Sequence, residues 1–348
     1  MTSSGALTPA EKLEGCSLPN GWTVVQQILK RPGATGGFFS VGYRAKNVDG
    51  REAFLKALDF SRAFASPDPS RALQELTETF NFERDLLEKC KAKNLDHVVR
   101  ALEEGRLTID GLPVQYLIFE LAEGDMRSHM DLSSAVDLAW TLGMLHDVAV
   151  GMQQLHGIGI AHQDLKPSNV LVFKSLIAKL ADLGRSAHPD YAPPHEDFVI
   201  PGAWSYAPPE LRYNFTHPDF KQRRFGSDAF LLGNILLFAF TRLTMSSVLF
   251  SFLAPEHMPQ VWQGTYEEVI AYLQNAFSDA VQAVEPEIPA EVRADVILML
   301  RQLCEPDLAK RGHPRNRFIG KNTFSLERYI TKLDVLAYKA KRKLFREN

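Results

Sequence analysis

The stretch AHQDLKPSNVLV, residues 161–172, sets an acid, a lysine two residues later and an amide five residues later in a loop that runs into an apolar strand. The carboxylate of Asp164 is suited to accept a proton from a hydroxyl. Lys166 can neutralise charge on a phosphoryl group in transit, and the side-chain oxygen of Asn169 can ligate a divalent metal. Just beyond lie NVLVF and IAKLA, which read as a short hairpin, and then ADLGRS. Asp182 offers a second metal position there, and Gly184 lets the backbone turn sharply. Two acids, an amide and a lysine at this spacing suit phosphoryl transfer from magnesium-bound ATP. Gln163, directly before the acid, raises the separate question of how such a site is switched on.

The rest of the composition sets bounds. A chain of 348 residues with 45% hydrophobic content can build one large domain or two lobes. The net charge of −3 gives no general attraction to nucleic acid, so no nucleic-acid partner is expected. Cys16, Cys90 and Cys304 are far apart, which argues against a disulfide framework or a zinc knuckle and fits a reducing, cytoplasmic setting. The opening MTSSGALTPAEKLEG lacks the apolar core of a secretory signal. The most apolar run, AFLLGNILLFAF at 229–240, is shorter than the ~20 residues of a membrane span and reads as a buried helix. The basic end, YKAKRKLFREN, reads as a solvated helix terminus, with a membrane-proximal segment of a longer protein as the alternative.

Three short runs, WTVVQQIL, FFSVGYRA and EAFLKALD, separated by GATGG and NVDG, predict strands between residues 22 and 58. A helix is expected over about residues 70–93, followed by the strand-like HVVRAL, RLTI and VQYLIFEL. After residue 125 helical periodicity dominates; DLAWTLGMLHDVAVGMQQLHGIG is one long helix stopped by Gly157 and Gly159. The expected organisation is an N-terminal extension (1–21), a strand-rich lobe (22–121), a larger helical lobe (122–330) and a basic helix end (331–348), with a cleft at the seam.

HQDLKPSN resembles the catalytic loop of protein kinases, and ADLG resembles their DFG motif; the two acids lie 18 residues apart, from 164 to 182. The resemblance, over roughly residues 22–330, implies an α+β, two-lobed protein-kinase-like fold. In EAFLKALD, Lys56 resembles the strand lysine that contacts ATP phosphates. That lysine needs a glutamate from the following helix, where Glu75, Glu78, Glu83 and Glu88 are candidates. Leu76, Phe80, Leu87 and Cys90 form one apolar stripe; Glu83 falls on it while Glu78 and Glu88 point well away, so Glu83 is the expected partner. The glycine-rich loop is degraded: the family's glycines correspond to Thr35, Gly37 and Ser40, and Gly42 stands where a valine would cover adenine. Phosphates are nevertheless expected at the backbone of Thr35, Gly36, Gly37 and Ser40. VQYLIFELAEGD resembles the hinge strand, with Phe119 as gatekeeper, Glu120 to Ala122 meeting adenine and Asp125 the ribose. No GxxxxGK[ST] occurs, so a P-loop nucleotide site is unsupported.

GAWSYAPPE resembles the end of a kinase activation loop, with Glu210 paired to Arg311 of DLAKRGHP, and SDAFLLG places Asp228 beneath the catalytic loop. Together with LKPSN, these features imply a serine/threonine protein kinase that transfers the ATP γ-phosphate to protein hydroxyls, with Mg²⁺ at Asn169 and Asp182. The alternatives are a pseudokinase scaffold and a small-molecule phosphotransferase. Gln163 replaces the arginine that receives an activation-loop phosphate, and the only hydroxyls between Asp182 and Glu210 are Ser186, Tyr191, Ser205 and Tyr206. Activity is therefore expected to be independent of activation-loop phosphorylation. Ala203 replaces a threonine that bonds toward the catalytic acid, which leaves substrate positioning open. Leu183 replaces phenylalanine and keeps an apolar residue.

Overall fold

A computed structural model describes residues 7–29, 40–130, 137–191, 193–319 and 322–347. The chain divides into two compact units, one ending at Glu123 and the other beginning at Gly124.

The first unit is an antiparallel sheet of β1 (Trp22–Ile28), β2 (Ser40–Asn47), β3 (Glu52–Leu58), β4 (Ala101–Ile109) and β5 (Leu112–Glu120), in the order β1-β2-β3-β5-β4. Period-two alternation builds it. Tyr43, Ala45, Ala53, Leu55, Ala57, Tyr116 and Ile118 point into one core, and Phe54 and Lys56 lie on the opposite face of β3. Ala101–Leu102, the end of HVVRAL, and RLTI, read separately in the sequence, fall in the single strand β4, which pairs irregularly between Ala101 and Glu103. It turns into β5 through Asp110 and Gly111, both at positive φ (51° and 79°), the backbone that a two-residue hairpin demands. Residues ahead of β1 also build the core. Ala10, Leu13 and Leu18 are buried against the sheet, and Tyr43 donates its hydroxyl proton to the Ala10 carbonyl at 2.7 Å. Helix α1 (Pro69–Ala92) starts where Asp68 accepts the Arg71 N–H and Pro69 takes the first turn, and it ends with Lys89 and Lys91 near its carbonyl end.

The second unit holds a small antiparallel sheet of β6 (Gly124–Asp125), β7 (Val170–Val172) and β8 (Ala178–Leu180). Its main helices are α2 (Leu138–Gly157), α3 (Gly226–Thr241), α4 (Tyr266–Val284), α5 (Arg293–Leu303) and α6 (Glu327–Glu347). Asp137 caps α2, and Thr265 with Glu268 forms a reciprocal capping box on α4. Helix α6 packs along α2, and the Leu326 N–H donates to Gln153 Oε1 at 2.7 Å. Helix α3 is buried nearly all round, as its apolar sequence requires. Its 16 residues extend about 24 Å, short of the ~30 Å hydrocarbon core of a bilayer. Among the described residues no single helix is long and apolar enough to cross a membrane. Lys221–Thr241 and Met245–Ser251 combine the needed length and apolar composition only as a pair, across a bend of 86°.

Gly42 faces the Phe54 ring, and a Cβ at Gly42 would sit 2.8 Å from Phe54 Cε2. Gly42→Val is therefore expected to destabilise the protein by about 1–3 kcal/mol through overpacking, read by urea denaturation. In a Phe54→Ala background most of that penalty should vanish; an equal penalty in both would mean that the ring is not the obstacle.

Candidate active site

In the first unit, β3 pairs with β2 and β5 so that Lys56 lies opposite Gly42 and Leu117. Its Nζ donates to both oxygens of Glu83, at 2.9 and 2.8 Å. Glu83 is only 5% exposed, on the same side of α1 as Phe80, Leu87 and Cys90. A carboxylate in that position must be paired, because burial strips its water. The other candidate glutamates face solvent, with Glu75 bonded to Arg71 and Glu78 to Gln74. Ser40 opens β2, whereas Thr35, Gly36 and Gly37 lie outside the described residues. Phe119 is buried with its ring 6.4 Å from that of Phe54. Glu120 ends β5 with its carboxylate on the Arg100 N–H at 2.8 Å, and Ala122 follows, half-buried.

In the second unit, the buried loop from His162 to Asn169 is organised by a carboxylate on α3. Asp228 accepts the N–H of His162 at 2.8 Å and the N–H of Gln163 at 2.9 Å. Gln163 sits at φ 64°, a left-handed backbone that a non-glycine residue adopts only when its surroundings hold it there. The turn presents Asp164. Its Oδ1 accepts the Ala203 N–H at 2.9 Å; its Oδ2 accepts Lys166 Nζ at 2.7 Å and Asn169 Nδ2 at 3.2 Å. The missing threonine hydroxyl at 203 is thus met in part by a backbone amide. That approach requires Gly202, since a Cβ there would collide with the Gln163 carbonyl oxygen. His162 accepts the Asp164 N–H on Nδ1, so its Nε2–H is the one that donates to the Ala181 carbonyl, at 3.2 Å.

Asp182 follows at φ 65°, immediately after Ala181, whose N–H donates to the Asn169 carbonyl at 2.9 Å. This bond ties the two expected metal positions together through the backbone. Asn169 spends its Nδ2 hydrogens on the carbonyl and carboxylate of Asp164, which leaves Oδ1 as the accepting atom. One amide oxygen and one carboxylate are the hard oxygen donors that magnesium takes, so these residues fit that ion. Asp125 also caps the turn Met126–His129 by accepting the Ser128 N–H at 2.8 Å.

The segment that follows is pinned at its far end. Glu210 accepts two bonds from Arg311, at 2.7 and 2.8 Å, with both side chains almost wholly buried. Burial alone would lower the Arg311 pKa; the facing Glu210 carboxylate outweighs it, and the net shift is upward. The Tyr206 carbonyl accepts from Asn234 Nδ2 at 2.8 Å and from Ser246 Oγ at 3.0 Å. A small cavity beside Asp164 is lined by Ile200, Pro201, Tyr206, Ala207 and Leu211. Two features escape a reading of side-chain types: the Ala203 amide, because every residue but proline has one, and the Asn234–Ser246 clamp, which joins two helices without any motif.

Residues 35–315 match the protein kinase domain family. The chain is similar to the serine/threonine-protein kinase PknA of Mycobacterium tuberculosis, at 28% identity over 183 residues, which are 52% of this chain and 40% of that protein. It is also similar to probable receptor-like protein kinases of Arabidopsis thaliana. One is 28% identical over 182 residues (50% of this chain, 20% of the relative), and another is 29% identical over 182 residues (50% and 19%). The chain therefore covers less than half the length of each of these relatives.

Removing one partner of the buried pair, as in Arg311→Met, should strand a carboxylate and lower the unfolding free energy by about 3–5 kcal/mol. The double change Glu210→Leu, Arg311→Met should lose much less, and a urea titration of both variants reads the difference.

Proposed function

The chain belongs to the protein kinase domain family, and from that premise we propose that it is a serine/threonine protein kinase. It transfers the γ-phosphate of ATP to hydroxyl groups of protein substrates and does so without prior phosphorylation of its activation segment. The observation that carries this reading is the carboxylate of Asp164, fixed at both oxygens and set beside a small cavity made by the segment around 200–211.

In this reading Asp164 orients the attacking hydroxyl and takes its proton as the new oxygen–phosphorus bond forms and the bond to the leaving phosphate oxygen breaks. Lys166, 2.7 Å from Asp164, places a cation beside the developing charge. Lys56, steadied by Glu83, offers a cation to the phosphates of the nucleotide. Backbone groups at Thr35, Gly36, Gly37 and Ser40 approach the same phosphates, Glu120 to Ala122 meet adenine, and Asp125 meets the ribose. Asn169 and Asp182 hold magnesium, which when bound neutralises phosphate charge. What the protein contributes is placement and electrostatics.

Lysine at 166, two residues after the acid, and the name of the PknA relative support serine or threonine as acceptor. The Glu210–Arg311 anchor and the cavity beside Asp164 support a protein as substrate. Independence from phosphorylation is supported by Gln163, which cannot pair with a phosphate as a cation does, and by Ser186. That side chain is fully buried with its Oγ on the His162 carbonyl at 3.3 Å.

The test is transfer of labelled γ-phosphate from Mg-ATP to the protein itself and to casein, beside Asp164→Asn and Asp182→Ala. Wild type should label serine or threonine, and loss of the base should reduce the rate about 10²–10⁴-fold. Labelling of a metabolite alone would point to a small-molecule phosphotransferase; no labelling with retained ATP binding would point to a scaffold. The Ser186→Ala, Tyr191→Phe double variant should keep most of its activity, and loss of that activity would refute phosphorylation independence.

A further inference from the structure

Gln163 does more than occupy an arginine's position. It is 4% exposed, and its Nε2 donates to the Arg224 carbonyl and to Asp228 Oδ1, each at 2.9 Å. Its Oε1 accepts from Arg224 Nη1 at 3.3 Å. Arg224 is 3% exposed, in the π-helical turn Lys221–Phe225 that leads into α3. The other end of its guanidinium reaches the activation segment, where Nη2 donates to Glu196 Oε2 at 3.2 Å. The neighbouring Arg223 donates from Nη2 to the second oxygen of the same carboxylate at 3.1 Å. Two consecutive arginines thus grip Glu196, one through each oxygen. Burial lowers the Arg224 pKa, and the attraction of Glu196 works against that shift.

The residue beside Glu196 makes a second tie. His195 is 3% exposed and donates Nε2–H to the Arg185 carbonyl at 2.9 Å. Burial depresses its pKa to about 4, so it is neutral near pH 7 and is not a competing cation for Glu196. A continuous set of contacts therefore runs from Arg185, three residues past Asp182, through His195 and Glu196 to Arg224 and Gln163, the neighbour of Asp164.

We propose that Glu196 is a built-in anion that orders the activation segment in place of an acquired phosphate. Arg224 and Arg223 are its receivers, and Gln163 couples them to the catalytic loop. This inference rests on the kinase reading above and names the regulation of that site. Glu196, Arg224 and Gln163 are positioning residues in it: none is assigned contact with the reacting atoms. The geometry also accounts for the amide at 163. A third cation there would face Arg224 across about the same 3.3 Å, whereas an amide serves as donor and acceptor at once.

The experiment compares the wild-type 348-residue chain, the same chain after phosphatase treatment, Glu196→Gln and Glu196→Asp. Glu196 is partly exposed, so neither substitution empties the core. Hydrogen exchange over residues 193–203 should quicken about tenfold in Glu196→Gln, the factor for losing a part-buried charge-assisted bond. Glu196→Asp should recover part of that protection. Phosphatase treatment should change neither exchange nor transfer. In kinetics, Glu196→Gln should lower kcat/KM for casein by a similar factor and leave the affinity for Mg-ATP unchanged. Unaltered exchange in Glu196→Gln, or loosening by phosphatase alone, overturns the proposal. If wild type transfers no phosphate yet Glu196→Gln loosens the segment, the kinase reading fails and the latch stands. If wild type transfers phosphate and Glu196→Gln matches it in both measurements, the latch fails and the kinase reading stands.

Discussion

The carboxylate of Asp228 lies at the start of α3 with no exposure to solvent, and it accepts hydrogen bonds from the His162 and Gln163 amides, from Gln163 Nε2 and from His156 Nε2. A buried carboxylate is tolerated only when its oxygens are met by donors. Here the donors are supplied by the very loop that carries Asp164. The loop needs the carboxylate as much as the carboxylate needs the loop, since the left-handed backbone at Gln163 has no local support of its own. This mutual dependence rests on α3, a helix buried on nearly every side. Precision at Asp164 is thereby borrowed from a helix core.

A buried ion pair, Glu210 with Arg311, acts further along the chain. Arg311 meets Glu210 through two bonds and spends its remaining donors on the carbonyls of Gly226, Glu305 and Pro306. Such a pair adds little net stability, because desolvation offsets most of the attraction. In this pair all five guanidinium N–H groups of Arg311 find an acceptor, two on Glu210 and three on backbone carbonyls. Between these anchors lie the amide of Ala203, the glycine that lets it approach, and the cavity beside Asp164. The segment is held by backbone and ion pairs, so a small residue suffices at 203.

The first unit solves a different problem, which is keeping a lysine and a glutamate paired with little water around them. Strand alternation sets Lys56 on the face opposite the Tyr43 and Leu55 core, and helical phase turns Glu83 toward it. The chain ahead of β1 stabilises this sheet by covering its other face with Ala10, Leu13 and Leu18. Gly42 belongs to the same packing: the Phe54 ring fills the space that a side chain at 42 would take.

Much of the candidate site was legible because the residues proposed for it lie at short covalent spacings. Asp164, Lys166 and Asn169 share one loop, Asp182 follows one hairpin later, and Glu83 was selected by the phase of a single helix. The run 229–240 announced a buried helix by composition alone. Other features were silent. HVVRAL and RLTI read as two strands, because side-chain pattern does not show which backbone groups find partners on β5. The packing of Ala10, Leu13 and Leu18 carries no periodic signal. Glu196 and Arg224 lie 28 residues apart and match no motif. The sequence by itself determined which groups are available, where the strands and helices alternate, and the local order of acid, lysine and amide. Tertiary structure decided which distant donors meet which carboxylates. That choice depends on which polar groups remain unsatisfied once the helices and strands have packed, a property of the folded chain and not of any stretch of it.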